Sequence, residues 1–401
     1  MKIDYFSDFC IFVIKVCISS ISKIFYSKER DSGCICVLKL AIVKGKELKK
    51  YDFGAGHPFR GDRFEDFFSF FEKKIGLEGR FEIVANNKLA SDSDLKLWHT
   101  KQYIDAMEKA SCGIQVSDLF GFLSSDNLNP QTRRFPLGIE SAARVIVASS
   151  MLACDLVMEG SFEKAISIGG GLHHAKSNYG EGFCVYNDVV ICVKHAIRKF
   201  SLDRILVLDT DAHAGNGTCE AFYSDPKVLF VDLHQKYIYP GTGFEFEIGE
   251  GKGRGFTVNV PLPPGAGDEA YKFVFNELVF PLVQEFKPQL IIRNGGSDPH
   301  PSDKITQLGL TLQGFNYIGK ALAELSKICD GKEVDLICSG YKPEVLSRAW
   351  TALISGLAGV NFNLAEPFPL KPSKRQLLEE VKKVVAKVKT NLKPYWKHLN
   401  F

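Results

Sequence analysis

Residues 205–218 read ILVLDTDAHAGNGT, and this stretch decides the fold. Its opening four residues are wholly apolar, which suits a strand covered on both faces rather than one facing water. Chemistry begins where that run ends, with Asp209, Asp211, His213 and Asn216 set among Gly and Ala. The same pattern recurs four times. AISI (165–168) runs into GGGLHH, VLFV (228–231) into DLHQKYIYPGTG, LII (290–292) into RNGGSDPH, and VDLI (334–337) into CSGY. Longer amphipathic stretches at 141–158, 187–199, 268–286 and 313–329 alternate with these runs. The alternation predicts an α/β fold, a mostly parallel central sheet with helices on both faces. In such sheets ligands bind outside the C-terminal strand ends, and five polar loops meet there. The expectation is an enzyme.

Length permits one large α/β domain or two smaller ones. Of 401 residues 45% are hydrophobic and 24% charged, which excludes disorder and small disulfide scaffolds. Fifty Lys and Arg against 47 Asp and Glu give a net charge of +3, too balanced for direct nucleic-acid binding. Eleven scattered cysteines without a CxxC pair predict a reducing, cytoplasmic setting. Cys184 and Cys219, nearest the polar loops, read as packing residues.

The two ends stand apart. Residues 1–36 form an atypical extension, with the apolar run FCIFVIKVCISSISKIF (9–25) interrupted by Lys15. It is too short and too charged for an ordinary membrane span, so a weak anchor is the lesser reading and a membrane role is not expected. The globular pattern starts with VLKLAIV at Val37, and a start codon assigned too far upstream is the simpler expectation. At the other end, residues 373–392 read as an amphipathic helix with Leu377, Leu378, Val381, Val384, Val385 and Val388 on one stripe. Segment 371–401 carries nine Lys/Arg and two Glu, and a packed helix with a solvated lysine face is expected.

Asp211 and His213 at alternate positions, joined by Asp298 from another strand end, offer two carboxylates and an imidazole. That set leaves one position open, the catalytic rather than the structural zinc arrangement. An ion there lowers the pKa of water and polarises a carbonyl. His173 and His174 supply imidazoles for proton transfer, Asp209 and Asn216 can orient them, and Tyr341 can hydrogen-bond a developing oxyanion. Together these describe amide or ester hydrolysis.

Several motifs now in view resemble one family. GGGLHHAKSNYGEGFCVYND (169–188), DTDAHAGNGT (209–218), YPGTG (239–243), GGSDPHPSD (295–303) and GYKPEVLSRAWTAL (340–353) are similar to the zinc-dependent histone deacetylases. YDFGAGHPFRGDR (51–63) resembles the prokaryotic branch, the acetoin-utilization-type deacetylases and acetylpolyamine amidohydrolases. The resemblance spans about residues 37–365 and implies the arginase/deacetylase fold. It implies zinc on Asp211, His213 and Asp298, with His173 and His174 as the catalytic pair and His174 as general base and acid. It further implies Tyr341 as oxyanion donor, and Gly182, Phe183 and Tyr239 as walls of a narrow acyl-lysine channel. Asp126 falls at a rim carboxylate and Arg63 at an inner cavity. Asp209, with carbonyls of Asp211, His213 and Leu233, would surround a structural potassium ion. Ala214, Asn216 and Asp232 depart from the commonest pattern. Asn216 stands where an aspartate is usual, which predicts a less basic His174, and Asp232 stands where serine is usual, which bears on the potassium ion.

The implied substrate is acetylated lysine in a protein or peptide, or an acetylated small amine. An arginase-like binuclear ureohydrolase would need further carboxylates where Gly215 and Pro299-His300 stand. A catalytically silent acyl-lysine binder would have lost Tyr341 or a ligand, and neither is lost.

Overall fold

Among the described residues, eight strands make one sheet in which every hydrogen-bonded pair is parallel. The computed structural model describes residues 40–75, 79–361, 363, 365–370 and 375–399. The extension at 1–36 lies outside them. The strands are β1 (Leu40–Gly45), β2 (Phe81–Asn86), β3 (Lys164–Ile168), β4 (Ile205–Asp209), β5 (Val228–Gln235), β6 (Thr257–Leu262), β7 (Leu290–Gly295) and β8 (Glu333–Ile337). Their order is β2-β1-β3-β8-β7-β4-β5-β6.

The five apolar runs read from the sequence are β3, β8, β7, β4 and β5, the contiguous middle of the sheet. There both faces are covered, so mostly apolar runs fit, and the buried Asp335 of β8 is paired with Arg293 of β7 at 2.9 Å. The flanking β2 and β6 escape that reading because they carry polar or proline positions, such as Glu82, Asn259 and Pro261. The run at 228–231 also continues further than expected. Asp232, Leu233, His234 and Gln235 pair in register with Asn259, Val260, Pro261 and Leu262, so they belong to β5 and not to a loop.

Buried side chains fall into two clusters, one on each face of the sheet. Ile42, Leu208, Ile291 and Ile337 lie on one face; Val43, Val207, Ile292 and Leu336 lie on the other. The C-terminal part of the apolar helix Ile139–Met158 and the helix Asp188–Phe200 cover the second face around Cys154 and Cys192, while Ile139 to Val147 pack into the first cluster. The stretch 268–286 is helical but not uniform. Asp268–Val274 passes into a π-turn at Phe275–Val279 before Phe280–Phe286. Pro281 follows at once; it has no N–H to donate and its ring crowds the preceding turn, which favours the wider spacing.

The C-terminal helix runs Arg375–Leu392 with Val381, Val385, Val388 and Leu392 buried. Beyond it, the Trp396 indole donates to the Gly255 carbonyl at 2.7 Å. Lys389 pairs with Glu277 at 2.6 Å and Lys387 with Glu245 at 3.0 Å, so part of the lysine face is anchored.

Strand order places the chemistry. The chain builds β1 and β2 on one side of β3, β4 to β6 on the other, and inserts β7 and β8 between. The loops after β3, β8, β7 and β4 are therefore neighbours at the point where the winding reverses.

Candidate metal and catalytic site

The loop after β4 is shaped by its own carboxylates. Asp209 Oδ1 accepts the Asp211 N–H at 3.0 Å, and Asp211 Oδ1 accepts the His213 N–H at 2.8 Å. These bonds to the residue two further on coil the segment tightly. Asp298 arrives from the loop after β7 with Oδ1 held by the Ser339 hydroxyl at 2.7 Å. His213 Nδ1 then lies 3.1 Å from both Asp211 Oδ1 and Asp298 Oδ2. The three ligand atoms lie within 4.8 Å of one another and all three residues are buried.

The converging carboxylates hold protons on this cluster. Burial and the neighbouring Asp211 charge raise Asp298 to about 7. Burial alone would lower His213, yet its bonds to the two carboxylates raise it to about 10. Two buried carboxylates converging on one nitrogen fit a divalent cation, and an O,O,N donor set with an open side matches zinc. Among the described residues this is the one such cluster. His300 does not extend it, because its ring spans Glu366 at 3.0 Å and the Ser302 N–H at 3.1 Å.

The glycine turn after β3 is held by a residue that sequence reading did not single out. Asp188 accepts the Gly171 N–H at 3.0 Å, the Leu172 N–H at 2.8 Å and the Ser150 hydroxyl at 2.6 Å. Asn187 adds bonds from Nδ2 to the His173 and Ala175 carbonyls, each 3.1 Å. The Asn-Asp pair opening an apolar helix was the available signal, since such residues cap helices. His173 Nδ1 faces Asp209 Oδ2 at 2.7 Å, and Asn294 Nδ2 steadies that carboxylate at 2.7 Å. Burial would lower His173, but Asp209 and Asp211 raise it to about 9. The Nε2 atoms of His173 and His174 are 3.1 Å apart. Burial and the charges of His173 and His213 hold His174 well below the usual imidazole range, so it is neutral at pH 7. Its Nδ1 lies 2.8 Å from Asn216 Oδ1.

Phe183, Gly182, Tyr341 and both histidines line one pocket above Asp211 and His213. Gly182 has φ +60°, and a Cβ there would meet His174 Cδ2 at 2.2 Å, so glycine lets the wall close on the imidazole. Tyr239 stands on the same side, its ring 5.0 Å from His174. Gly340 has φ +127°, and a Cβ would meet Ser297 Oγ at 1.9 Å. That turn aims Tyr341 inward, with its N–H on Asp303 Oδ2 at 2.7 Å and its ring edge-on to Phe183 at 5.8 Å. Burial keeps the Tyr341 phenol well above its usual range, hence protonated.

Arg63 lies behind Tyr341 and donates to the Gly340 carbonyl at 2.9 Å and to Cys338 at 3.2 Å. It lines a second cavity of about 180 Å³ with His57, Arg60 and Lys304. Asp126 adjoins the channel wall, where Oδ2 accepts the Gly182 N–H at 3.0 Å while Oδ1 is buried. Asp232 is taken as well, by the Gly215 N–H at 2.9 Å and by His234 Nδ1 at 2.8 Å. His234 Nε2 faces the Gly243 carbonyl at 2.9 Å. With an acceptor on each side, both its nitrogens carry hydrogen. Cys184 is buried, and burial pushes its thiol up, as for a packing residue.

Comparison with known proteins bears on this arrangement. The histone deacetylase domain family matches residues 57–357. A probable deacetylase of Archaeoglobus fulgidus is 35% identical over 369 residues, covering 89% of this chain and 98% of its own. The acetoin utilization protein AcuC of Staphylococcus xylosus is 33% identical over 326 residues, covering 79% of this chain and 82% of its own. Among solved structures, the HDA15 HD domain is similar with a TM-score of 0.75 at 25% identity, covering 90% of this chain and 97% of that one.

Proposed function

This chain belongs to the histone deacetylase family, and from that premise we propose that it is a zinc-dependent amidohydrolase. It removes acetyl or a related acyl group from a lysine side chain or another amine. The observation that carries this reading is the convergence of Asp211, His213, His173, His174 and Tyr341 on one pocket.

Asp211, His213 and Asp298 would hold the ion. Zinc, when bound, makes water nucleophilic near neutral pH and polarises the acyl carbonyl. The protein's own groups do the rest. His174, neutral beside a protonated His173, takes the proton of the attacking water at Nε2 and returns it to the leaving nitrogen. His173 keeps its charge through Asp209 and stabilises negative charge developing nearby. The Tyr341 phenol donates to the oxyanion, a contact that strengthens as the carbonyl becomes tetrahedral. Phe183 and Tyr239 admit a slender chain and exclude bulk water.

The potassium ion implied by the resemblance would lie against Asp209 and Asp232. Both Asp232 oxygens already accept hydrogen bonds, and doubly protonated His234 supplies positive charge beside them. The residues fit that ion poorly, and no step is derived through it.

The test is hydrolysis of an acetyl-lysine peptide and a monoacetylated diamine by zinc-loaded protein, with Asp211→Ala alongside. Turnover lost in the variant supports the reading, and the ratio of the two rates ranks the substrates. A zinc-loaded protein inert on both, or turnover indifferent to Asp211→Ala, rejects it.

A further inference from the structure

Asn216 presents a problem that neighbouring residues solve. A carboxylate beside a histidine can only accept, so it forces a hydrogen onto the facing nitrogen. A carboxamide can present either its oxygen or its NH2. If the oxygen faces His174 Nδ1, that nitrogen carries the hydrogen and Nε2 keeps its lone pair. If the amide is reversed, Nδ1 accepts, Nε2 is protonated, and the imidazole cannot take a proton in the pocket. His173, whose Nε2 faces His174 Nε2 at 3.1 Å, favours the first arrangement when it carries both protons, but Asn216 alone does not hold it.

The choice is made one residue further out. Asn216 Nδ2 donates to Glu181 Oε1 at 2.9 Å, while Asn216 Oδ1 lies 2.8 Å from His174 Nδ1. Glu181 is acceptor-only when ionised, so it admits only the NH2 end of the amide. Its side chain is 16% exposed and faces Lys176 Nζ at 3.6 Å. The position is also constrained from the backbone. Glu181 opens a tight turn in which Gly182 and Phe183 both have positive φ, and its carbonyl accepts the Cys184 N–H at 3.0 Å. The turn that builds the channel wall therefore also delivers this carboxylate to Asn216.

We propose that Glu181 is a positioning residue which, through the Asn216 amide, sets His174 as the Nδ1–H tautomer with Nε2 free for proton transfer. The inference rests on the deacylase reading and deepens it. A carboxylate absent from position 216 is restored at one remove, from a different loop.

Replacing outer partners of this kind typically costs about 10–100-fold in activity. Glu181→Ala should lower kcat by that order with KM little changed. Glu181→Gln, which can still offer an oxygen to Asn216, should fall between it and the wild type. The decisive measurement is the Asn216→Asp background. There a carboxylate faces His174 directly and crowds Glu181, so adding Glu181→Ala should raise kcat instead of lowering it. If Glu181 only braces the Gly182–Phe183 turn, its loss lowers kcat in both backgrounds, and that result overturns the proposal.

A second readout needs no turnover. Nitrogen NMR of labelled imidazoles in metal-free protein should report a protonated Nδ1 for His174 in the wild type and a shift toward the other tautomer in Glu181→Ala. An unchanged tautomer also overturns the proposal. Wild-type protein inert on every acyl amine sinks the deacylase reading instead, while the tautomer measurement still decides the role of Glu181.

Discussion

Removing the Asp188 carboxylate should unseat the His173–His174 turn, and the size of the effect follows from its contacts. Asp188 is fully buried and receives two backbone N–H groups and one hydroxyl. In Asp188→Ala the N–H groups of Gly171 and Leu172 lose their acceptor inside the protein. Each buried unsatisfied group costs about 1–3 kcal/mol, so the pair costs about 2–6 kcal/mol. The Ser150 hydroxyl adds little, because it lies 3.2 Å from Ser167 Oγ and can turn to it. Asp188→Asn is the control. Its carbonyl oxygen still serves Leu172 and Gly171, and its NH2 can donate to Ser150, so about 1–2 kcal/mol is expected from exchanging charged for neutral bonds. Urea unfolding followed by tryptophan fluorescence measures both, with a lower midpoint and an unchanged slope expected. Turnover should fall with stability in the same order, since the turn carries both imidazoles. An Asp188→Ala protein within 1 kcal/mol of wild type would refute this reasoning, as would an Asn variant less stable than the Ala variant.

Tyr341→Phe should lower kcat by about 100–1000-fold while leaving zinc stoichiometry and melting temperature near wild type; full activity in the variant would remove Tyr341 from the oxyanion site. Zinc should raise Tm and a chelator should reverse it, because an ion that binds only the folded form stabilises it. Asp298→Ala should abolish that response, and an undiminished zinc shift in the variant would reject the ligand set. His99 is buried, and burial lowers it from 6.5 to about 3. The unfolded chain therefore binds a proton there that the folded one refuses. This group is neutral toward stability above pH 6.5 and costs up to about 1.4 kcal/mol per pH unit as pH falls from there toward 3. His99→Gln, which keeps an acceptor for the Asn187 N–H, should flatten that part of the pH–stability curve; parallel curves would contradict the assignment.

By itself the sequence determined the middle of the sheet and the residue types at its edge. ILVL, AISI, VLFV, LII and VDLI became the central strands because a strand covered on both faces is mostly apolar, a constraint written locally, with a buried charge such as Asp335 tolerated where Arg293 pairs with it. Asp211 and His213 were legible for a similar reason: they are two positions apart, and their shared loop closes through bonds that span two residues. Tertiary structure alone decided which distant groups act together. Asp188 is a helix-start residue until the turn at Gly171 folds onto it, and Asp126 is a surface carboxylate until Gly182 claims it. Glu181 lies 35 residues from Asn216 with no periodic relation to it, and only the packing of the loops after β3 and β4 brings its acceptor to the amide. Side-chain hydrogen bonds between loops depend on orientation and on which end of an amide faces which partner. Hydrophobic periodicity carries no information about either.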